Sequence, residues 1–303
     1  MDGSLSFESF FAGAKKAAHR GMVEHGRREY DDFALFAGVA IEKLAKAVLI
    51  SRNPAYLVEM RNGNSDMLLY FGGDLQMDMK NVRTIGGKDA IARLRRLGVL
   101  QTDPDLDTLI EMRNGAAHAS IGGGEAKGMI SPFARTIEEL LDHLGQEPGN
   151  FWERWATAVV AAVGWHVDQV SRDIQLRIEH SRHAFDDRFI GLPEGVKQEA
   201  LKSQNPLTES LRAHPLVTKR SDVSYITTTG GHCPACTGPA FLAFELIHRI
   251  EGKATYVSDA FFCFICNFHA QGPEEMAAMR NLVFSGVTLK PPAVDEEDGP
   301  ETD

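Results

Sequence analysis

An apolar run long enough to cross a bilayer is missing. The longest weakly polar stretch, Ala156 to Trp165, is ten residues between Arg154 and His166, against about 20 for a span, so no transmembrane helix is expected. The first residues, Met1-Asp2-Gly3-Ser4 with Glu8 close behind, lack the basic start and apolar core of a secretory signal. A cytoplasmic protein without a membrane partner is the expectation. Positive charge is also short: 32 basic side chains face 42 acidic ones, a formal −10, which argues against sequence-blind coating of nucleic acid. No segment recurs at a solenoid period. What remains is ordinary globular material, 43% hydrophobic and 24% charged over 303 residues, enough for roughly two domains with cores of their own.

The charge is unevenly placed. Residues 295–303 hold six carboxylates and no basic residue, and this apolar-poor end is expected to be a disordered acidic tail beyond Pro291. Residues 80–96 hold Lys80, Arg83, Lys88, Arg93, Arg95 and Arg96 against Asp89 alone. That cluster is either a phosphate-attracting, RNA-binding patch or a solvated helix face.

Periodicity predicts helices over residues 6–28 and 31–52, the second carrying Phe33, Phe36, Ala37, Ala40, Ile41, Leu44, Ala47 and Val48 at helical spacing up to Pro54. Residues 61–87, rich in Gly and Asn, read as an irregular insertion despite the apolar run Met67 to Phe71. Helix resumes from Lys88 to Leu97, from Asp105 to Ala119 and from Pro132 to Leu144, with Gly122 to Gly124 a breaker. From Trp152 onward Trp155, Val159, Val163, Val167, Val170, Ile174 and Ile178 keep three-to-four spacing, which predicts one long amphipathic helix, a connector whose stripe is read as core packing in preference to self-association. A shorter helical stretch around Gly195 to Ala213 follows. Near residue 216 the grammar turns to strands: Val223 to Thr229, a run near Phe241 to Ile250, and a third near Ala254 to Phe262.

All four cysteines sit in two equal spacings, Cys233-Pro234-Ala235-Cys236 and Cys263-Phe264-Ile265-Cys266. A two-residue gap lets both thiolates of a knuckle face one tetrahedral ion, and the segment between can form strands that bring the knuckles together. A reducing cytosol disfavours two disulfides, and no βαβ context supports a redox pair. The expected cofactor is structural Zn2+ in a zinc-ribbon module. Four thiolates close the coordination shell, so neither a catalytic zinc nor a deaminase-type site fits. His232 and His269 read as polar neighbours of the knuckles and not as ligands.

Leu109 to His118 carries the other candidate chemistry. His118 is the side chain suited to proton transfer near neutral pH, and Arg113 offers a fixed planar charge for a phosphate. On a regular helix Asn114 and His118 share a face, whereas Arg113 and His118 differ by about 140°. Gly115, Ala116 and Ala117 leave room for close approach. The segment Arg113-Asn114-Gly115-Ala116-Ala117-His118 resembles the motif of the HEPN (higher eukaryotes and prokaryotes nucleotide-binding) family, an Arg, often a polar residue directly after it, and a His. The apolar helix Phe33 to Leu49, with Glu42 and Lys46, looks like the family's other recognisable stretch. Those two charges, four apart, read here as a surface ion pair.

The resemblance covers roughly residues 6–147 and implies a mainly α protein. Its parts are an N-terminal HEPN-like helical bundle (1–147), a long helical connector (148–215), a small β-rich zinc-ribbon module (216–290) and the tail (291–303). It implies a homodimer whose paired Arg113, Asn114 and His118 cut single-stranded RNA or tRNA without a metal, in a toxin or phage-defence effector with a possible antitoxin or regulatory protein partner. The alternative is a non-catalytic RNA- or nucleotide-binding adaptor whose ribbon binds a protein.

Overall fold

The computed structural model describes residues 5–60, 65–116, 123–164, 169–202, 216–220, 223–250 and 253–282. Within them the protein is mainly helical with an antiparallel sheet toward its C-terminus, and no helix is long and apolar enough to cross a membrane. Contacts divide the chain into two units, Met1–Val163 and Gly164–Asp303. The division falls inside the span expected to be a connector.

The first unit is built on two long helices, α1 (Phe7–Arg27) and α2 (Tyr30–Arg52). The Ser6 hydroxyl accepts from the Ser9 N–H at 3.1 Å and starts α1. Arg28, in the left-handed region at φ 67°, ends it. Asn53 and Pro54 stop α2, because a residue before proline is pushed out of helical backbone. Ala34, Ala37, Ala40, Ile41, Leu44, Ala45 and Val48 are all buried, so α2 is enclosed on most sides. It packs against α1, against α4 (Gly87–Arg96), α5 (Pro104–Ala116), α6 (Gly123–Gly128) and α7 (Ile130–His143). Rings of Phe33, Phe133, Phe151 and Trp152 meet edge to face beneath it.

Three expectations fail here, the first being the breaker at Gly122 to Gly124, of which Gly123 and Gly124 begin α6. The segment 61–87 is not irregular throughout: Ser65–Gly72 forms helix α3, with Met67, Tyr70 and Phe71 buried and Leu68 and Leu69 exposed. A spacing of three and four was present in that run, hidden by the surrounding Gly and Asn. The single long helix from Trp152 is likewise broken into α8 (Pro148–Trp152), a 3-10 turn Glu153–Trp155, α9 (Ala156–Val163) and α10 (Gln169–Asp187), with Gly164 outside helix. Glu153 at φ 49° interrupts the backbone. The apolar stripe thereby splits between two cores: Trp155 and Val159 are buried in the first unit, Ile174 and Ile178 in the second.

The second unit begins, in its described part, with α10 and α11 (Val196–Lys202). Five antiparallel strands follow in chain order: β1 (Leu216–Arg220), β2 (Val223–His232), β3 (Pro239–Ile250), β4 (Lys253–Phe262) and β5 (His269–Gln271), then α12 (Pro273–Leu282). Ala240, Leu242 and Phe244 on one face of β3 join Phe261 and Ala270 against Ile174, Ile178, Met276 and Met279. The α10 helix is therefore core to this unit and not a free connector. Between Thr229 and His232 the β2–β3 register shifts, and Gly231 there has φ 86°. This bulge turns the strand into the first cysteine pair.

Candidate metal centre and the Arg113 site

The strand pairs β2–β3 and β4–β5 end in two knuckles of the same construction. In the first, the Cys233 N–H donates to the Gly238 carbonyl at 2.8 Å and the Thr237 N–H to the Cys233 carbonyl at 2.9 Å. In the second, the Cys263 N–H donates to Phe268 and the Asn267 N–H to Cys263, both at 2.9 Å. Thr237 and Asn267, each directly after the second cysteine, sit at φ 64° and 62°. The four Sγ atoms, all buried, lie within 4.8 Å of one another. Cys233 to Cys266 is 3.5 Å and Cys236 to Cys263 is 3.6 Å, far beyond an S–S bond of about 2.05 Å and near the edge of about 3.8 Å in a tetrahedron with 2.3 Å arms. Among the described residues this is the cluster that can hold a metal ion.

The thiols are strongly perturbed by one another. Hydrogen bonding with its three partners, and burial, push Cys266 far up, and hydrogen bonding with Cys236 and Cys263 does the same to Cys233. Cys263 is pulled far down by accepting from Cys233 and the others, and Cys236 is lowered chiefly by Cys233. Four sulfurs in one pocket cannot all ionise without a counter-charge, and a divalent cation supplies one. The exposed His232 and His269 rings turn to the carbonyls of Thr237 and Asn267 at 2.9 and 3.3 Å, outside the cluster.

The Arg113 site is less exposed than the sequence suggested. Lys46 Nζ donates to Glu42 Oε1 at 2.7 Å and to Thr84 Oγ1 at 3.2 Å. The other carboxylate oxygen, Glu42 Oε2, stands 2.8 Å from Arg113 Nη2. Side-chain exposure is 9% for Lys46, 15% for Glu42 and 28% for Arg113, which corrects the expectation of a solvated pair. Close backbone packing makes the knot possible. A Cβ on Gly38 would lie 2.4 Å from Cβ of Arg113, and one on Gly87 would lie 3.1 Å from Glu42 Oε2. Gly87 opens α4, so the carboxylate also rests beside a helix N-terminus, which favours negative charge. Asn114 continues α5 after Arg113, while His118 lies outside the described residues. Glycine, glutamate and lysine at positions 38, 42 and 46 share one face of an otherwise apolar helix, and that signal could have marked the site.

The basic cluster divides by role. Arg93 donates to the carbonyls of Tyr56 and Val58 at 2.6 and 2.9 Å. Arg95 reaches Asp107 at 2.8 Å and the carbonyls of Gln101 and Asp103. Lys80 pairs with Asp78 at 2.9 Å. Arg83, Lys88 and Arg96 are exposed. Two of the six are thus committed to holding loops of the first unit.

Compared with known proteins, the chain matches no family model, no curated protein and no solved structure.

Proposed function

We propose that the chain is a metal-independent endoribonuclease of the HEPN type, probed best through Arg113, Asn114 and His118, with a structural zinc ion on Cys233, Cys236, Cys263 and Cys266. The observation that carries the reading is the 2.8 Å approach of Arg113 to Glu42. It joins the two stretches on which the resemblance rests, α2 and the end of α5. In this reading the ribose 2′-hydroxyl attacks its own phosphate, His118 moves the proton, Arg113 stabilises phosphoryl charge and Asn114 orients either group. DNA lacks the attacking hydroxyl and survives. Single-stranded RNA or tRNA is the substrate class, a homodimer the working assembly, and a toxin or phage-defence effector with a possible antitoxin partner the biological setting. Zinc fits because four thiolates at tetrahedral spacing close its shell and leave no position for an activated water.

A second reading is a non-catalytic RNA- or nucleotide-binding adaptor with a protein-binding ribbon. It is favoured by Arg113 being already paired with Glu42. One assay separates the two. Purified full-length protein is incubated briefly with labelled single-stranded RNA and tRNA in chelator, beside Arg113→Ala and His118→Ala, with circular dichroism as the check on folding. Cleavage leaving 2′,3′-cyclic phosphate and 5′-hydroxyl ends, lost in both variants while RNA binding persists, supports the enzyme. A 3′-hydroxyl with a 5′-phosphate refutes this route, and binding without any cleavage supports the adaptor.

A further inference from the structure

The two cysteine knuckles repeat thirty residues apart in the chain, and helix α10 with the turn that ends it carries a matching pair of arginines. Arg182, on α10, donates through Nη2 to the Pro234 carbonyl at 3.0 Å and through Nε to the Ala235 carbonyl at 3.4 Å. Arg188, one residue past the end of α10, donates through Nη1 to the Ile265 carbonyl at 2.7 Å. Ala235 and Ile265 are the same position in the two knuckles, the residue directly before the second cysteine. Glu179 fixes the first arginine by accepting from its Nη1 at 2.7 and 2.9 Å. Phe185, between the arginines, is buried in the same cluster as all four cysteines.

We infer that Arg182 and Arg188 are positioning residues of the metal centre, each clamping the turn of one knuckle so that both cysteine pairs face a single ion. This rests on reading the four cysteines as a metal site. Two physical effects act together. A guanidinium bound to the carbonyl before the second cysteine fixes the peptide plane from which that cysteine's Sγ projects, and groups that hold a metal's ligands in place typically govern metal affinity by about 10- to 100-fold. Four thiolates around a divalent cation also leave a net negative charge, which Arg188 offsets, while the charge of Arg182 is already met by Glu179. Seating α10 on the sheet and closing the metal site are therefore one event, and residues 169–188 belong to the metal module although they precede its first cysteine by a long stretch of chain.

The test uses the full-length protein and zinc(II) or cobalt(II) alone. Affinity is read by competition with a chromophoric chelator, ligand set by the cobalt thiolate charge-transfer bands, and folding by circular dichroism. Arg182→Met and Arg188→Met are each expected to weaken affinity about tenfold or more, and the double variant more than either. The cobalt spectrum should stay tetrahedral with four sulfurs, because every ligand remains. Arg182→Lys and Arg188→Lys keep the charge and guard against loss of fold; a lysine is a single point donor, so each should recover only part of the affinity. Arg172→Met is the control on the same helix, since Arg172 bonds Gln169 and the Gly164 carbonyl and no knuckle. Unaltered affinity in the folded lysine and methionine variants overturns the proposal, even if the unfolding midpoint falls. Absence of stoichiometric metal from the unaltered protein overturns the metal-centre reading itself, and so is told apart from failure of the clamp.

Discussion

Gly38→Ala probes the α2–α5 contact on which the Arg113 site depends. The added methyl carbon would lie 2.4 Å from Cβ and 2.6 Å from Cγ of Arg113, both close to the α5 backbone and unable to swing away as a side-chain tip would. Ordinary contact begins near 3.4 Å, and no rotamer change moves Cβ, so the helices must separate by up to about 1 Å, a strain of about 1–3 kcal/mol. Against this, alanine is favoured over glycine inside a helix by about 1 kcal/mol. Gly21→Ala on α1 isolates that second effect, because its new carbon would meet Ala37, Phe33 and Phe36 at 3.6–3.7 Å, ordinary contact distances. Gly21→Ala should therefore stabilise by about 1 kcal/mol and Gly38→Ala should fall below it by about 1–3 kcal/mol, the propensity gain cancelling between them. Urea unfolding followed by circular dichroism measures the difference, which corresponds to roughly 2–4 °C in melting temperature per kcal/mol for a unit of this size. A Gly38→Ala protein as stable as Gly21→Ala refutes the close-packing argument. So does unchanged reactivity of the Arg113 site if cleavage is detected.

If the four cysteines hold zinc as proposed, removing it, or replacing Cys263 by Ser, should unfold the second unit and leave the helical first unit in place, since structural zinc sites contribute on the order of 10–16 kcal/mol of binding energy to folding; metal content and thermal melts followed by circular dichroism check this. His19, whose Nε2 lies 2.8 Å from the Phe151 carbonyl, is held below its ordinary value of 6.5 by burial, with that carbonyl and Glu153 partly opposing. The unfolded chain thus binds more protons than the folded one just below 6.5, so the stabilisation is complete above that value and is lost as pH falls through the depressed folded one. His19→Gln should flatten the dependence of the urea midpoint on pH just below 6.5, and an unchanged slope would contradict it. Neutralising Arg83, Lys88 and Arg96 together should weaken RNA binding and reduce the salt slope by about 2, as read by fluorescence anisotropy at several salt concentrations. Arg93→Gln should instead cost about 1–3 kcal/mol of stability, because two loop carbonyls lose their donor.

The cysteine spacings, the two long N-terminal helices and the change to strands near residue 216 were all legible in the chain, because each rests on local chemistry. A two-residue gap fixes how two sulfurs can face one ion, and a 3.6-residue period fixes which side of a helix must be buried. Three of the five strands were read from the chain; β1, β5 and the bulged register of the sheet were not, because short edge strands and bulges carry no alternation of their own. Reading failed where burial depends on what lies opposite. Glu42 and Lys46 have the spacing of a surface pair, and only the approach of Arg113 through Gly38, with Gly87 behind the carboxylate, makes them interior. The stripe from Trp155 to Ile178 has one unbroken period, yet the chain leaves helix at Gly164 and the stripe is divided between two cores.

Sequence alone therefore determined which residues could bind a metal, because ligand chemistry and spacing are local. Only tertiary structure decided which arginines reach the knuckles, which cations of residues 80–96 are exposed, and which acid meets Arg113. Those assignments depend on distances between elements far apart in the chain, and no periodicity encodes them.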